Sequence, residues 1–176
     1  MTMTEYVELA QRTASTKTKA DKIGHGCLGL IGEAGEIIDI IKKRKYMGMT
    51  EEMAREKLID EISDCCWYIA EWCTGTGNNM QVIFDESVGL FDEFSVEKLA
   101  VALAGDAYEL WGLSQDGIMY HYQYDAICAV AKCIKALCYK IGVELETVLK
   151  HNIDKLKARY PDGFSAERSN RRYEHA

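Results

Sequence analysis

The sequence predicts an all-α protein, a bundle of about six or seven helices, and three observations lead there. A single proline, Pro161, interrupts 176 residues, and since proline breaks helix interiors, its near absence leaves long stretches free to coil. Apolar residues recur at three- and four-residue intervals, the period of a helix with one buried face, while sustained two-residue alternation is missing. Hydrophobic residues make up 48% and charged residues 28%, which suits one globular core. A single domain is expected over 1–165, followed by a polar tail at 166–176.

The first helix is expected over about 4–14, and the second from about Lys19 to Lys45. Thr50 is a good N-cap for the third, with Glu51 and Glu52 in a first turn where the helix dipole favours negative charge. That helix ends near Gly75. A short helix follows at about 79–90, then one from the Ser95 cap to Trp111. The "SQDG" turn at 114–117 introduces another, ending near Ile141, with Gly142 placed as a C′ residue. A closing helix runs over about 143–160 and stops at Pro161. Arg168, Arg171 and Arg172 lie in the polar tail.

The net charge of −7, from 28 acidic and 21 basic residues, repels a bare nucleic-acid backbone and makes a polymer partner unexpected. A phosphate-bearing ligand needs a metal ion to mediate. No apolar run reaches the length of a membrane span, and the opening MTMTEYVELAQRT has neither a basic nor an apolar leader segment, so a cytoplasmic protein without a membrane partner is expected. The seven cysteines (Cys27, Cys65, Cys66, Cys73, Cys128, Cys133 and Cys138) are odd in number, sit in apolar runs and form no C-x-x-C pair. They read as reduced core residues.

An internal repeat underlies the pattern. "LIGEAGEI" at 30–37 matches "LAGDAYEL" at 103–110, and Asp60, Ile62, Ile69, Cys73 and Gly77 recur at a constant offset as Asp125, Ile127, Ile134, Cys138 and Gly142. This suggests a duplicated hairpin, first copy about 19–75 and a partly degenerate second about 95–141, against the alternative of chance likeness between two amphipathic hairpins. Asp106 and Glu109 stand in the second copy, but Ala126 and Ala129 replace Glu61 and Asp64. No independent metal site is expected there, although Asp106 and Glu109 can border a base pocket.

Glu33 and Glu36 lie three apart in "GLIGEAGEII", a stretch otherwise made of glycine, alanine, isoleucine and leucine. Residues so spaced project about 60° apart from one side of a helix. Glu61 and Asp64 repeat the device in "DEISDCCWYIAEW", bordering the stripe Leu58, Ile62, Cys65, Ile69 and Cys73. One such pair on a solvated face is commonplace. Two pairs beside apolar stripes form a set of like charges that requires a cation among them. Oxygen donors without imidazole or thiolate suit Mg²⁺, with Mn²⁺ as a substitute. A di-iron bundle is the rival, but such sites use Glu-x-x-His, and neither pair has a histidine. Gly29, Gly32 and Gly35 each cost a helix about 1 kcal/mol against alanine, so a close approach by a backbone or phosphate chain is expected along them.

E-x-x-E at 33–36, 24 intervening residues and E-x-x-D at 61–64 resemble the signature of the all-α nucleoside triphosphate pyrophosphohydrolases, the MazG-like and dimeric dUTPase superfamily. "GLIGEAGEIIDIIKK" and "LIDEISDCCWYIA" are similar to its two metal-binding helices, and "NIDKLKARYPDGFS" at 152–165 to its closing segment. The resemblance covers roughly 5–75 and 140–165, and the stretch of about 78–140 is an insertion relative to short members. It implies cleavage of a nucleoside triphosphate, a deoxynucleotide by analogy, between α- and β-phosphates to a monophosphate and pyrophosphate, in pool sanitation or control of DNA precursors. It also implies a homo-oligomer, a dimer or tetramer.

On this reading Glu33, Glu36, Glu61 and Asp64 hold metal, and Glu33 takes the proton of the attacking water. Substrate contacts are expected from Lys43, two turns beyond Glu36, from Tyr68, the counterpart of a family tyrosine, and from Asn152, Lys155, Arg159 and Tyr160 on the closing helix. His25 ranks below these, as a helix residue more than a base contact. The alternatives are cleavage elsewhere along the phosphate chain and a non-catalytic helical module that binds a nucleotide or a protein.

Overall fold

The computed structural model describes residues 1–89, 93–115 and 120–167. Among them lie seven helices and no strand: α1 (Met3–Gln11), α2 (Lys19–Tyr46), α3 (Glu51–Thr76), α4 (Met80–Glu86), α5 (Val96–Gln115), α6 (Tyr120–Lys140) and α7 (Leu145–Arg159). The expected all-α class is what the chain adopts. The arginines of the tail and the end of the "SQDG" turn lie outside the described residues.

Side-chain caps set the helix starts. Thr2 and Thr18 each accept from the backbone N–H three residues on, and Glu5 and Asp21 reach back to complete capping boxes. Thr50 accepts from Met53 N–H as anticipated, and each such cap stabilises its helix by about 1 kcal/mol. Three ends differ from expectation. The first helix stops at Gln11 rather than near residue 14, because Thr13 Oγ1 turns back onto Ala10 O. α4 stops at Glu86, where Ser87 Oγ donates to Ile83 O and to Cys128 O of α6. α5 runs on to Gln115, past Trp111.

The two hairpins pack side by side. α2 lies along α3, α5 along α6, and α2 against α5, while α7 and α1 cover α3 and α4 rests on α6. The core between them holds Leu30, Ile37, Ile62, Ile69, Trp72, Leu103, Leu110, Ile127 and Ile134, all essentially inaccessible. Both hairpins end in the same turn. Gly77 and Gly142 have φ of +81° and +65°, and the residues after them, Asn78 and Val143, donate to Cys73 O and Cys138 O at 3.0 Å each. Such a left-handed C′ residue is most easily glycine.

α2 and α3 approach closely because glycine sits between them. A Cβ on Gly26 would lie 3.0 Å from Tyr68 O and 3.1 Å from Trp72 N, and one on Gly29 would lie 2.1 Å from the Tyr68 ring. A Cβ on Gly32 or Gly35 would meet nothing within 4 Å among the described residues outside the local helix. Of the three glycines expected to admit a close neighbour, only Gly29 does so within the chain.

The pairing follows a steady antiparallel register. Glu33 of α2 meets Glu61 and Asp64 of α3, Gly29 meets Tyr68, and His25 meets Glu71. These three steps form one line along the helix–helix groove.

Candidate functional site

Glu33, Glu61 and Asp64, each half-buried, bring one carboxylate oxygen apiece within 4.8 Å of one another. α2 supplies the first and α3 the other two, so the cluster exists because the two helices touch here. The Glu33 and Glu61 carboxyls face each other where α2 and α3 touch. Burial, followed by the charges of Asp60 and Asp64, pushes the Glu61 carboxyl up, against the opposing pull of Lys155 and of the Glu33 hydrogen bond.

Glu36 does not join this group. Three residues beyond Glu33, it is turned about 60° around α2 toward the open side, and it is exposed where Gly32 and Gly35 leave bare helix. The expected four-point cage is therefore a three-point cluster with its fourth acid on the rim.

α7 supplies the positive charge. Lys155 Nζ lies 2.8 Å from Asp64 Oδ1 and 2.5 Å from Asp60 Oδ1, with its side chain only 16% exposed. His151 Nε2 also meets Asp60, at 3.1 Å. Burial pushes the Asp60 carboxyl up, but Lys155 and then His151 outweigh it and hold the group below its ordinary value. Asp60, Glu61, Asp64 and Glu33 thus gather at one place, with Lys155 and His151 beside Asp60.

Asn152 was expected to meet substrate, and the structure places it beneath the cluster. It is fully buried. Its Nδ2 donates to Asp64 Oδ1 at 3.0 Å and to Ser63 Oγ at 3.3 Å, while its Oδ1 accepts from Tyr6 Oη at 3.0 Å. The amide orients Asp64 and ties α1, α3 and α7 together. Arg159 lies one turn past Lys155 and is half-buried. Tyr160 is the buried C-cap of α7, its ring 5.8 Å from Phe164. Lys43, on the exposed side of α2, pairs with Asp39 one turn back, its Nζ 2.5 Å from Asp39 Oδ2.

Tyr68 lies half-buried over Gly29, beside the carboxylates. Its ring meets Trp67 edge-on at 5.1 Å and His25 at 5.4 Å. Beyond it, His25 Nδ1 lies 2.5 Å from Glu71 Oε2, and Glu71, with no exposure, also accepts from Thr16 Oγ1. The Glu71 hydrogen bond raises the His25 pKa above its ordinary value, against burial and the Lys22 charge.

Sequence reasoning missed Asp60, Tyr6 and Glu71. Glu71 had a visible signal, because seven residues after Asp64 it stands on the same face of α3. Tyr6 had none, its partner lying 146 residues away.

The donor set fits a hard divalent cation. All three donors are carboxylate oxygens, and their spacing within 4.8 Å approaches the roughly 4 Å that separates opposite ligands of Mg²⁺. In the second hairpin Asp106 accepts from Cys133 Sγ at 3.4 Å, and burial pushes its carboxyl up. The seven cysteines are free, and all but Cys128 are buried. No described helix is long and apolar enough to cross a membrane. Comparison with protein-family models, curated proteins and solved structures gave no match.

Proposed function

We propose that the chain is a metal-dependent nucleoside triphosphate pyrophosphohydrolase, adding water across the α–β phosphoanhydride to release a nucleoside monophosphate and pyrophosphate. The observation that carries this reading is the half-buried cluster of Glu33, Glu61 and Asp64, three acids gathered where α2 and α3 touch, beside Lys155. A triphosphate brings more negative charge to such a place only together with a cation. The likeness of the acidic motifs to the MazG-like superfamily supports the same reaction, and deoxynucleotides as its substrates.

Glu33, Glu61 and Asp64 would hold Mg²⁺ or Mn²⁺, with Glu36 contributing from the rim. Once bound, the ion neutralises phosphate charge and lowers the pKa of a coordinated water. Asn152 and Lys155 fix the Asp64 carboxylate, so the ligand set is preorganised from below. Glu33 takes the proton of the attacking water. Lys155 offers its charge to the phosphate chain at the α7 side, and Tyr68 packs beside the sugar. Assembly as a dimer or tetramer is part of the proposal and is read by light scattering.

Each common dNTP and NTP is incubated with the protein in Mg²⁺ or in chelator, and both products are identified. Monophosphate plus pyrophosphate, formed only with metal and lost in Glu36→Gln and Glu61→Gln, supports the reading. Tripolyphosphate or single phosphate as product moves the cleavage position, and no turnover of any triphosphate leaves a nucleotide- or protein-binding module.

A further inference from the structure

We propose that His25, steadied by the buried carboxylate of Glu71, reads the nucleobase by donating a hydrogen bond from Nε2 to an oxo group on the base. The proposal rests on the hydrolase reading for the ligand's class and deepens it by assigning the far end of the same groove.

Placement is the first support. His25, Gly29 and Glu33 follow one another at four-residue steps on α2, so one face presents all three. Opposite them, in register, stand Glu71, Tyr68 and Asp64 of α3. His25 is eight residues from Glu33, about 12 Å along the axis, comparable to the span of a nucleoside from its α-phosphate to the far edge of its base. Tyr68 bridges the interval, and the Trp67 ring stands 5.9 Å from the imidazole.

The second support is how His25 is held. A carboxyl group with no exposure is costly to bury and needs specific hydrogen-bond partners. Here Thr16 takes one oxygen and His25 the other. Facing a carboxylate, Nδ1 carries the hydrogen, which fixes the ring plane and leaves Nε2 as the outward nitrogen. His25 remains 43% exposed, and its only hydrogen-bond partner among the described residues is Glu71, through Nδ1. A purely structural ion pair has no need to leave a nitrogen open in the groove beside two aromatic rings. The raised pKa favours the imidazolium, in which Nε2 donates. Uracil, thymine, cytosine and guanine carry an oxo group, and adenine does not.

The test compares wild type with His25→Ala, His25→Gln, Glu71→Gln and the His25→Ala/Glu71→Gln double variant, each first checked for its helical circular dichroism and cooperative melting. Steady-state kcat and KM are measured on dUTP, dCTP, dGTP and dATP with Mg²⁺, and calorimetry measures binding of their non-hydrolysable α,β-imido analogues. For folded His25→Ala, KM and Kd are expected to rise about 10- to 100-fold for the oxo-bearing bases, with kcat nearly kept and dATP least changed. His25→Gln, which keeps a donor, recovers part of the loss. Glu71→Gln shifts KM in the same sense, and the double variant is no worse than His25→Ala, because a positioning residue acts through the one it positions.

Unchanged KM and Kd in His25→Ala alongside active wild type overturn the base contact and leave the hydrolase reading standing. An equal loss on all four bases overturns it also, and a Glu71→Gln effect fully additive to His25→Ala overturns the positioning role. Mg²⁺-nucleotide binding without turnover, lost in His25→Ala, keeps the subsite and removes the hydrolase reading. Neither binding nor turnover by wild type overturns both.

Discussion

Lys155 bridges Asp60 and Asp64 from α7 with little exposure. Lys155→Met leaves both carboxylates beside Glu61 without that neighbour. Breaking an exposed pair costs at most about 1 kcal/mol and a buried one about 3–5, so this part-buried bridge is expected to cost about 1–3 kcal/mol. For a chain of this size, that lowers the Tm by roughly 3–10 °C, and the loss is expected to shrink in Mg²⁺ because a second cation takes over. Calorimetry in chelator and in Mg²⁺ measures both. At the other end of the groove the sign of a pH effect is fixed. His25 has a folded pKa above its ordinary 6.5, so its pairing with Glu71 contributes stability that is fully present below about 6.5 and fades as pH rises through the folded value. The Tm gap between wild type and His25→Gln is therefore expected to narrow from pH 6 toward pH 9. A gap that widens over that range would contradict the pairing. Asp60 runs the other way: its depressed pKa contributes stability above about 3.8 that is lost as the solution is acidified through the folded value.

Between α2 and α3 the glycines divide into two kinds that the sequence cannot separate. Gly29 underlies the Tyr68 ring, whereas Gly32 and Gly35 face open space. Gly29→Ala forces the ring or the helix aside, an overpacking expected to cost about 1–3 kcal/mol. Gly32→Ala and Gly35→Ala meet no neighbour among the described residues and are expected to gain up to about 1 kcal/mol from helix propensity. Thermal melts of the three variants read the difference, and an activity loss in Gly32→Ala or Gly35→Ala without a stability loss would mark where substrate lies. What was legible follows from what is local. Caps such as Thr50, the buried stripe of α3 and the acid pairs depend on spacing within one helix, and spacing is printed in the sequence. Which way Glu36 turns, by contrast, depends on where α3 crosses α2. Asn152 stood among the expected substrate contacts, and only the crossing of α1, which brings the Tyr6 hydroxyl to its amide, makes it a buried strut. The same holds for Glu71, whose place on the acidic face was visible while its burial depends on Thr16 from the loop before α2.

Across the whole molecule the two hairpins share an ending turn and differ in what their middles contain. Where the first sets Gly29 beneath the Tyr68 ring, the corresponding residues of the second are Ala102 and Cys133, and Asp106 takes a thiol where Glu33 meets a carboxyl. The second copy is packed against α2, so on the proposed function metal linkage is expected at the first hairpin. An ion that binds only the folded chain stabilises it by about 2.7 kcal/mol at a concentration 100 times its Kd, which here is roughly a 5–10 °C rise in Tm. Asp64→Asn or Glu61→Gln is expected to remove that rise entirely rather than halve it, as a second working cage would require. In chelator the order of stabilities is expected to invert for Glu61→Gln. Three like charges within 4.8 Å repel one another with no ion present, so deleting one relieves the fold and raises the Tm above that of wild type. A Glu61→Gln variant that melts lower than wild type in chelator, or a wild-type Tm indifferent to Mg²⁺, would mean that hydrogen bonds and Lys155 already satisfy the cluster and that no cation is needed to hold it.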